Sequence, residues 1–251
     1  CIAGYNGKHE CIRPVAKGGI PESILFQDGN LIIYPFALVE LELLEPEPQP
    51  PHTEDILFNL YTPQVVREVH SREEVLRWSL FDSVETIFAR PVLSGPGFYV
   101  MDCEGPRSLG TIIPARIDQV LYEPAEEGTW DYRLLFTDPK GGVYRLKIVD
   151  LAWHYYCTFL RSDGHEPAQI AVELSERLRT SKVYLRIGLA RGWKKFPERC
   201  YLQITAVYSF PDYAEGNPLS ALWPGVTSRS SHQIREQADA DYSPGEETHP
   251  W

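Results

Sequence analysis

The sequence predicts a mainly β fold in a globular protein, and three observations support this prediction. Of the 251 residues, 43% are hydrophobic and 24% are charged, which is typical of soluble globular domains and not of disordered or fibrous chains. The 21 prolines fall between short apolar runs, which indicates strands joined by stiff loops. The second half of the chain alternates apolar and polar residues with the period of two that a half-buried strand requires.

The clearest elements lie in this second half. Alternation predicts five strands there, at 109–122, 130–136, 143–149, 183–189 and 202–206. A turn from Thr137 to Gly142 joins the second strand to the third as a hairpin. Pro167 suits the first turn of an amphipathic helix that runs to about Arg179, between the third and fourth strands. Three strands, a helix and two strands is the order of the OB-fold, a five-stranded Greek-key barrel.

The first half of the chain gives a weaker version of the same order. Strand candidates lie at 1–4, 10–15, 32–44, 86–90 and 98–102. Ser71 followed by Glu74 forms a capping box that predicts a helix to about Phe81. The proline-rich stretch 46–63 predicts a stiff, extended connector ahead of this helix. We expect a second OB-like barrel with one helix between its third and fourth strands. Because the chain opens at Cys1 inside a strand-like segment, its first strand would precede Cys1.

The chain therefore divides into three predicted regions. Residues 1–105 form an N-terminal OB-like barrel, and residues 106–214 form a C-terminal OB-fold barrel. Residues 215–251 lose all periodicity and gain Ser, Gly, Pro and acidic residues, which predicts an irregular or disordered tail.

Five short motifs lie in order along the chain. They are Cys1–Gly4 (CIAG), Cys11–Val15 (CIRPV), His52–Asp55 (HTED), Arg107–Gly110 (RSLG) and Leu185–Arg191 (LRIGLAR). Together they resemble the prokaryotic dual OB-containing domain family over roughly residues 1–214. The resemblance implies two OB barrels and a nucleic-acid-binding or sensing role. It supplies no catalytic residues, because none of the motifs encodes a known reaction.

The charge is unevenly distributed. A formal net charge of -11 argues against a protein that coats nucleic acid through its overall charge. Residues 40–55 hold six acids and no Lys or Arg, which favours either a solvated surface or a docking face for a basic partner. Residues 175–200 instead hold eight basic side chains against two acids. Such a patch either binds a negatively charged ligand or neutralises acidic neighbours within the fold.

The outer face of the second and third strands, with the adjoining loops, is the usual binding surface of an OB barrel. The loop 191–199 interleaves cations with aromatic side chains, which suits single strands whose phosphates meet Lys or Arg and whose bases stack. Against this, Glu123, Glu126 and Glu127 lie in the loop between the first and second predicted strands of this barrel and would repel phosphates. Alternatively, Trp193 and Phe196 close the end of the barrel. The residues we expect to bind single-stranded DNA or RNA are Arg133, Arg145, Lys147, Tyr184, Arg186, Arg191, Trp193, Lys194, Lys195 and Phe196.

Cysteine usage and hydropathy bear on the compartment. The five cysteines are irregularly spaced and form no C-x-x-C pair, which favours buried free thiols in a cytoplasmic protein over a disulfide scaffold or a zinc site. No apolar run approaches the ~20 residues that a membrane-spanning helix needs, so we expect no membrane association.

Two weak constellations of reactive side chains remain. For His52, Glu54 and Asp55 a loop-organising role is favoured over a metal or catalytic role. For His154 and Cys157, close after Asp150, packing is favoured over a nucleophile and base. We therefore expect a non-enzymatic protein without cofactor or metal. Two alternatives to nucleic acid stay open: a protein-interaction subunit of a larger protein or nucleoprotein complex, and a module for small polar ligands or oligosaccharides.

Overall fold

A computed structural model describes residues 2–27, 30–69, 71–101, 104–124, 130–192 and 194–214. The predicted tail, 215–251, lies outside these residues. Strands outweigh helices in both halves of the chain, so the mainly β prediction is confirmed. Among the described residues, no helix is long and apolar enough to cross a membrane.

The first half of the chain holds a four-stranded sheet and two short ribbons. Its elements are β1 (Gly4–Tyr5), β2 (Cys11–Val15), β3 (Phe26–Gln27), β4 (Asn30–Leu31), β5 (Ala37–Glu40), β6 (Leu43–Pro46), β7 (Asp55–Phe58), β8 (Gln64–Glu68), α1 (Arg72–Arg77), α2 (Val84–Phe88), β9 (Leu93–Ser94) and β10 (Phe98–Met101), with a 3-10 turn at Glu22–Leu25. The sheet has the order β1-β2-β7-β6, and the ribbons pair β3 with β4 and β5 with β8. The pairing in this half does not trace a closed five-stranded barrel within the described residues, so a barrel of that form is not confirmed.

Three local predictions for this half are wrong. Ser71 precedes α1 but makes no side-chain capping hydrogen bond, and the helix ends at Arg77 instead of about Phe81. Residues 86–90 are not a strand, because Ser83 opens the helix α2 and exchanges hydrogen bonds with Thr86: the Thr86 amide donates to Ser83 Oγ over 3.2 Å, and the Ser83 amide donates to Thr86 Oγ1 over 3.0 Å. The stretch 46–63 is not merely a connector, because it contains β7, which lies between β2 and β6. Asp55 and Leu57 on this strand are buried, which fixes it in the sheet.

Residues 37–68 form one long hairpin. Glu40 pairs with Gln64 in the β5–β8 ribbon, and Leu43 pairs with Phe58 in the β6–β7 ladder. The Asn59 amide donates to the Glu42 carbonyl over 2.9 Å and bridges the two ladders. The hairpin turns at 49–52. Its β7 strand lies inside the four-stranded sheet, and β6 lies at the edge of that sheet.

The second half of the chain forms the curled sheet that contains most of the core. Its elements are β11 (Leu109–Ile112), β12 (Arg116–Pro124), β13 (Trp130–Thr137), β14 (Val143–Ile148), α3 (Leu151–Ser162), α4 (Pro167–Thr180), β15 (Lys182–Leu189) and β16 (Arg199–Phe210). The strand order is β11-β15-β16-β14-β13-β12. Because only residues 113–115 separate β11 from β12, the first and last strands of this order are neighbours in the chain. The sheet therefore curls round on itself. The predicted strand 109–122 is divided into β11 and β12, so a five-stranded Greek-key barrel is not confirmed here either.

The interior of this sheet follows the predicted alternation. Tyr132, Leu134 and Phe136 on β13 are fully buried, as are Leu146 and Ile148 on β14. The helix α4 covers β12 and was predicted, whereas α3 was not. The first half also contributes a strand here, since β10 pairs with β16. The division of the chain at residue 105 stays a prediction.

The cysteines differ from the sequence expectation. Cys11 and Cys157 carry free thiols, as predicted, but Cys200 is disulfide-bonded. The prediction of free thiols throughout is therefore wrong for Cys200, and the thiols no longer support a cytoplasmic location.

Candidate nucleic-acid interface

The outer face of β13 and β14 carries three of the predicted cations, each paired with an acid. Arg133 is buried and donates to Asp131 over 2.9 Å, with Glu123 3.8 Å away. Arg145 donates to both carboxylate oxygens of Glu123 over 2.6 and 2.8 Å. Lys147 lies 3.0 Å from Asp131. Arg145 and Lys147 still expose nearly half of their side chains, so they can meet a phosphate in competition with these acids.

The two predicted residues on β15 are buried, so their assignment to an open surface is wrong. Alternation turns them away from the interior of the curled sheet, but the first half of the chain covers this outer face. The hydroxyl of Tyr184 donates to Glu73 over 2.9 Å. The guanidinium of Arg186 donates to the Tyr5 hydroxyl over 2.8 Å and to the Cys11 sulfur over 3.0 Å. These side chains join the two halves of the chain and have no room to contact a nucleic acid.

The loop between β15 and β16 is anchored at its start by the first half of the chain. Arg191 Nη2 lies 2.5 Å from Asp55 Oδ2, and Nη1 donates to Gln49 over 3.3 Å. Gly192 follows, and a Cβ atom at this position would lie 2.1 Å from the carbonyl oxygen of Pro197. Only glycine fits so close an approach of two backbone segments. The loop is therefore closed at its neck by the approach of Gly192 to Pro197.

The tip of this loop carries exposed cations. Lys194 and Lys195 are exposed, and Phe196 is half-buried. The ammonium group of Lys195 lies 5.7 Å from the centre of the Phe196 ring. Trp193 lies outside the described residues, as do Glu126 and Glu127 of the opposing loop.

An arginine stacked between aromatic rings adjoins the loop, and the sequence prediction missed it as a site. The Arg199 guanidinium lies 4.3 Å from the centre of the Phe196 ring and 4.9 Å from that of Tyr99. The Tyr99 and Tyr201 rings are 5.6 Å apart, because β10 and β16 place these residues opposite each other. The alternation of Tyr201 with Leu202 was visible in the sequence, but no local signal indicated the pairing with Tyr99.

Strand register connects this cluster to the cations on β14. Lys147 is paired with Gln203 across the parallel β14–β16 ladder, and Arg133 is paired with Lys147 across β13–β14. Tyr201 and Arg199 precede Gln203 on β16 at intervals of two residues, so they share its face. One continuous outer surface therefore runs from β13 across β14 to the aromatic cluster and the loop tip. It combines five cations, Arg145, Lys147, Lys194, Lys195 and Arg199, with the rings of Tyr99, Phe196 and Tyr201.

The two candidate catalytic groups act as structural groups. Glu54 accepts hydrogen bonds from the Ser108 and Leu109 amides over 2.6 and 3.1 Å. Both ring nitrogens of His52 are buried without a hydrogen-bond partner, and burial together with the nearby Arg13 lowers its pKa to about 4. Within the ranges described, no cluster of three or more His, Cys, Asp or Glu side chains could hold a metal ion. The loop-organising interpretation of this segment is therefore the one that its contacts support.

The second candidate group, Asp150, His154 and Cys157, follows β14 and is buried in the fold. Asp150 caps α3 by accepting the Ala152 amide over 3.0 Å, and burial raises its pKa to about 6. His154 Nε2 lies 3.1 Å from the carbonyl oxygen of Ile148. Burial raises the pKa of the Cys157 thiol, which disfavours the thiolate that a nucleophile requires.

The motifs quoted above meet at the junction of the two halves. Arg13, from the CIRPV motif, donates to Asp55 of HTED over 2.6 Å, and Asp55 also binds Arg191 of LRIGLAR. The same LRIGLAR motif supplies Arg186, which contacts Cys11. The residues that carry the family resemblance therefore hold the two halves together.

A comparison with protein-family models matches the dual OB-containing domain over residues 1–207. The chain belongs to this family. Dual OB-containing domains are built on a fold that binds nucleic acids or proteins in general, and the family match alone does not choose between them. No curated protein and no solved structure matches this dual OB-containing chain.

Proposed function

We propose that this protein binds single-stranded DNA or RNA on the outer surface that runs from β13 and β14 to the β15–β16 loop. The single observation that carries the proposal is the stacked cluster of Arg199, Phe196 and Tyr99, beside the exposed lysines at the loop tip. Aromatic rings next to cations are what non-specific single-strand binding requires, because bases stack while phosphates pair with Lys or Arg.

The proposal revises the set of residues that touch the ligand. Arg145, Lys147, Lys194 and Lys195 contact phosphates, and Phe196 offers a stacking face. Trp193 remains in the proposed set as a second stacking residue. The residues that position this surface without touching the ligand are Arg133, Tyr184, Arg186 and Arg191, which are buried or bound to acids.

Location and charge agree with this assignment. The surface covers the strands and the loop at which OB-folds hold their ligands. Glu123 and Asp131 neutralise part of the positive charge, so we expect modest affinity that depends strongly on salt. A protein with a net charge of -11 can still offer a local site for phosphates because residues 175–200 hold eight basic side chains against two acids.

The test is fluorescence anisotropy with labelled single strands of about 20 nucleotides, as DNA and as RNA, at two salt concentrations with a duplex control. The variant Lys194→Glu with Lys195→Glu should weaken binding by about tenfold or more at low salt and reduce the salt slope. The matched control is Lys8→Glu with Lys17→Glu, which makes the same charge change at exposed positions in the first half. Equal loss in both variants, or no binding by the unmodified protein at low salt, would overturn the proposal.

A further inference from the structure

The long hairpin presents a free sheet edge over residues 37–47. β6 is the last strand of its sheet, and β5 pairs with β8 alone among the described residues. Glu42 turns its carbonyl toward β7, where it accepts the Asn59 amide. Because successive residues of a strand direct their backbone groups to opposite sides, Leu43 presents its N–H and C=O groups outward. This edge therefore offers backbone hydrogen bonds to another strand.

The side chains along this edge are unusually apolar for an open edge. Leu38 is 40% exposed and Leu44 is 56% exposed, and Val66 on the opposite strand of the hairpin is 57% exposed. Proteins protect free edges with very short strands, prolines, bulges or charged side chains, especially lysine. Here Pro46 protects one end, and the leucines remain open to contact.

The charged side chains of residues 37–47 are all acidic, which favours a basic partner segment. Glu40 and Glu45 are exposed and form no ion pair within the described part of the chain. Residues 40–55 contain no Lys or Arg. A second copy of this chain would bring the same acids to the edge, and like charges on adjacent strands are destabilising. The chain from Asp212 onward carries seven acids against Arg229 and Arg235, so it is poorly matched as well.

We infer that this edge binds an extended, basic segment of a partner protein as an added strand. The outward backbone groups around Leu43 pair with the incoming segment, its Lys or Arg side chains meet Glu40 and Glu45, and its apolar side chains contact Leu38 and Leu44. Strand addition of this kind takes affinity from the main chain and specificity from alternate side chains. The surface lies on the hairpin and not on the proposed nucleic-acid surface, and its acids would repel phosphates.

The probe is a fluorescent peptide of about 12 residues in which Lys alternates with Val and Thr. The full chain should bind it, and Glu40→Lys with Glu45→Lys should weaken binding by about tenfold or more. The matched control, Glu74→Lys with Glu176→Lys, reverses two exposed acids on α1 and α4 and should stay within about twofold. A peptide N-methylated at every second residue keeps its charge but loses the N–H groups that would face the protein's sheet edge. It should bind about tenfold more weakly or worse. Hydrogen exchange should slow at the outward-facing Leu43 amide when the unmodified peptide is bound.

Several results would overturn the inference. Equal weakening in both charge variants would mean that the peptide responds only to net charge. Undiminished binding of the N-methylated peptide would exclude strand addition. Dimers of the free protein that dissociate in the Glu40→Lys and Glu45→Lys variant would assign the edge to a second copy. Single-strand binding should be unchanged in that variant, which separates this test from that of the proposed function.

Discussion

Removing the carboxylate of Asp55 should destabilise the whole protein, because this one side chain holds two arginines. Asp55 is buried and lies 2.6 Å from Arg13 and 2.5 Å from Arg191. The Arg13 side chain is only 9% exposed, whereas that of Arg191 is 53% exposed. Asp55→Ala leaves the Arg13 charge buried without a partner, which costs about 3–5 kcal/mol. Losing the exposed Arg191 pair adds about 0–1 kcal/mol.

This loss is a large part of the ~5–15 kcal/mol that keeps a typical protein folded. Urea unfolding followed by tryptophan fluorescence measures it, and an unchanged slope against urea keeps the variants comparable. Arg191→Ala serves as the control and should cost less than about 1 kcal/mol, because it leaves the buried pair intact. The double variant Arg13→Met with Asp55→Leu should recover much of the loss, since it removes both buried charges. A cost below about 1 kcal/mol for Asp55→Ala would refute the reasoning, because Arg13 would then have found another partner or water.

Three further predictions concern pH, the loop neck and the cysteines. Burial lowers the pKa of His52 and of His154 to about 4. Between pH 4 and 6.5 the unfolded chain therefore binds more protons at these residues than the folded chain, so the free energy of unfolding should rise with pH. Asp150, whose pKa is raised to about 6, contributes the opposite slope. His52→Leu should reduce that slope by about 1.4 kcal/mol per pH unit, measured by urea unfolding at several pH values, and an unchanged slope would show that His52 does not titrate this way. Gly192→Ala should cost about 1–3 kcal/mol by forcing Pro197 away and should weaken single-strand binding, and a variant with unchanged stability and affinity would contradict the tight neck. Alkylation in denaturant without reductant should modify Cys11 and Cys157 but not Cys200, and mass spectrometry showing modified Cys200 would contradict the disulfide.

Much of the curled sheet could be predicted because the sequence signal for its strands is local. Alternation identified β13, β14 and β15 within a residue or two at each end, and it placed Arg145 and Lys147 on the outer face. A strand with one buried face has an apolar residue at every second position, so a short stretch of sequence is enough to recognise it.

The helix α3 was missed because its composition misleads. Trp153, Tyr155 and Tyr156 favour strands by propensity, yet they are buried on a helix that covers the sheet. The signal that could have revealed it is Asp150, whose side chain caps the first turn.

The site was harder to predict because its decisive contacts join distant parts of the chain. Alternation assigns Tyr184 and Arg186 to the outer side of a strand, but it does not say what covers that side. Their partners, Glu73 and Tyr5, come from the first half of the chain. The pairing of Tyr99 with Tyr201 is equally distant, so no window of sequence contains it.

The contact between Arg186 and Tyr5 also sets an order of folding. The two residues are 181 positions apart, and Arg191 lies 136 positions beyond Asp55. During synthesis the first half emerges long before these arginines. Asp55 can therefore pair with Arg13 before it can pair with Arg191. Contacts of such long range form only after the entropy of closing a large loop has been overcome, which slows folding. We therefore expect the N-terminal half to dock fully only after β15 has been synthesised. Chains ending before residue 186 would keep the contacts of Glu54 with Ser108 and Leu109 but lack those of both arginines.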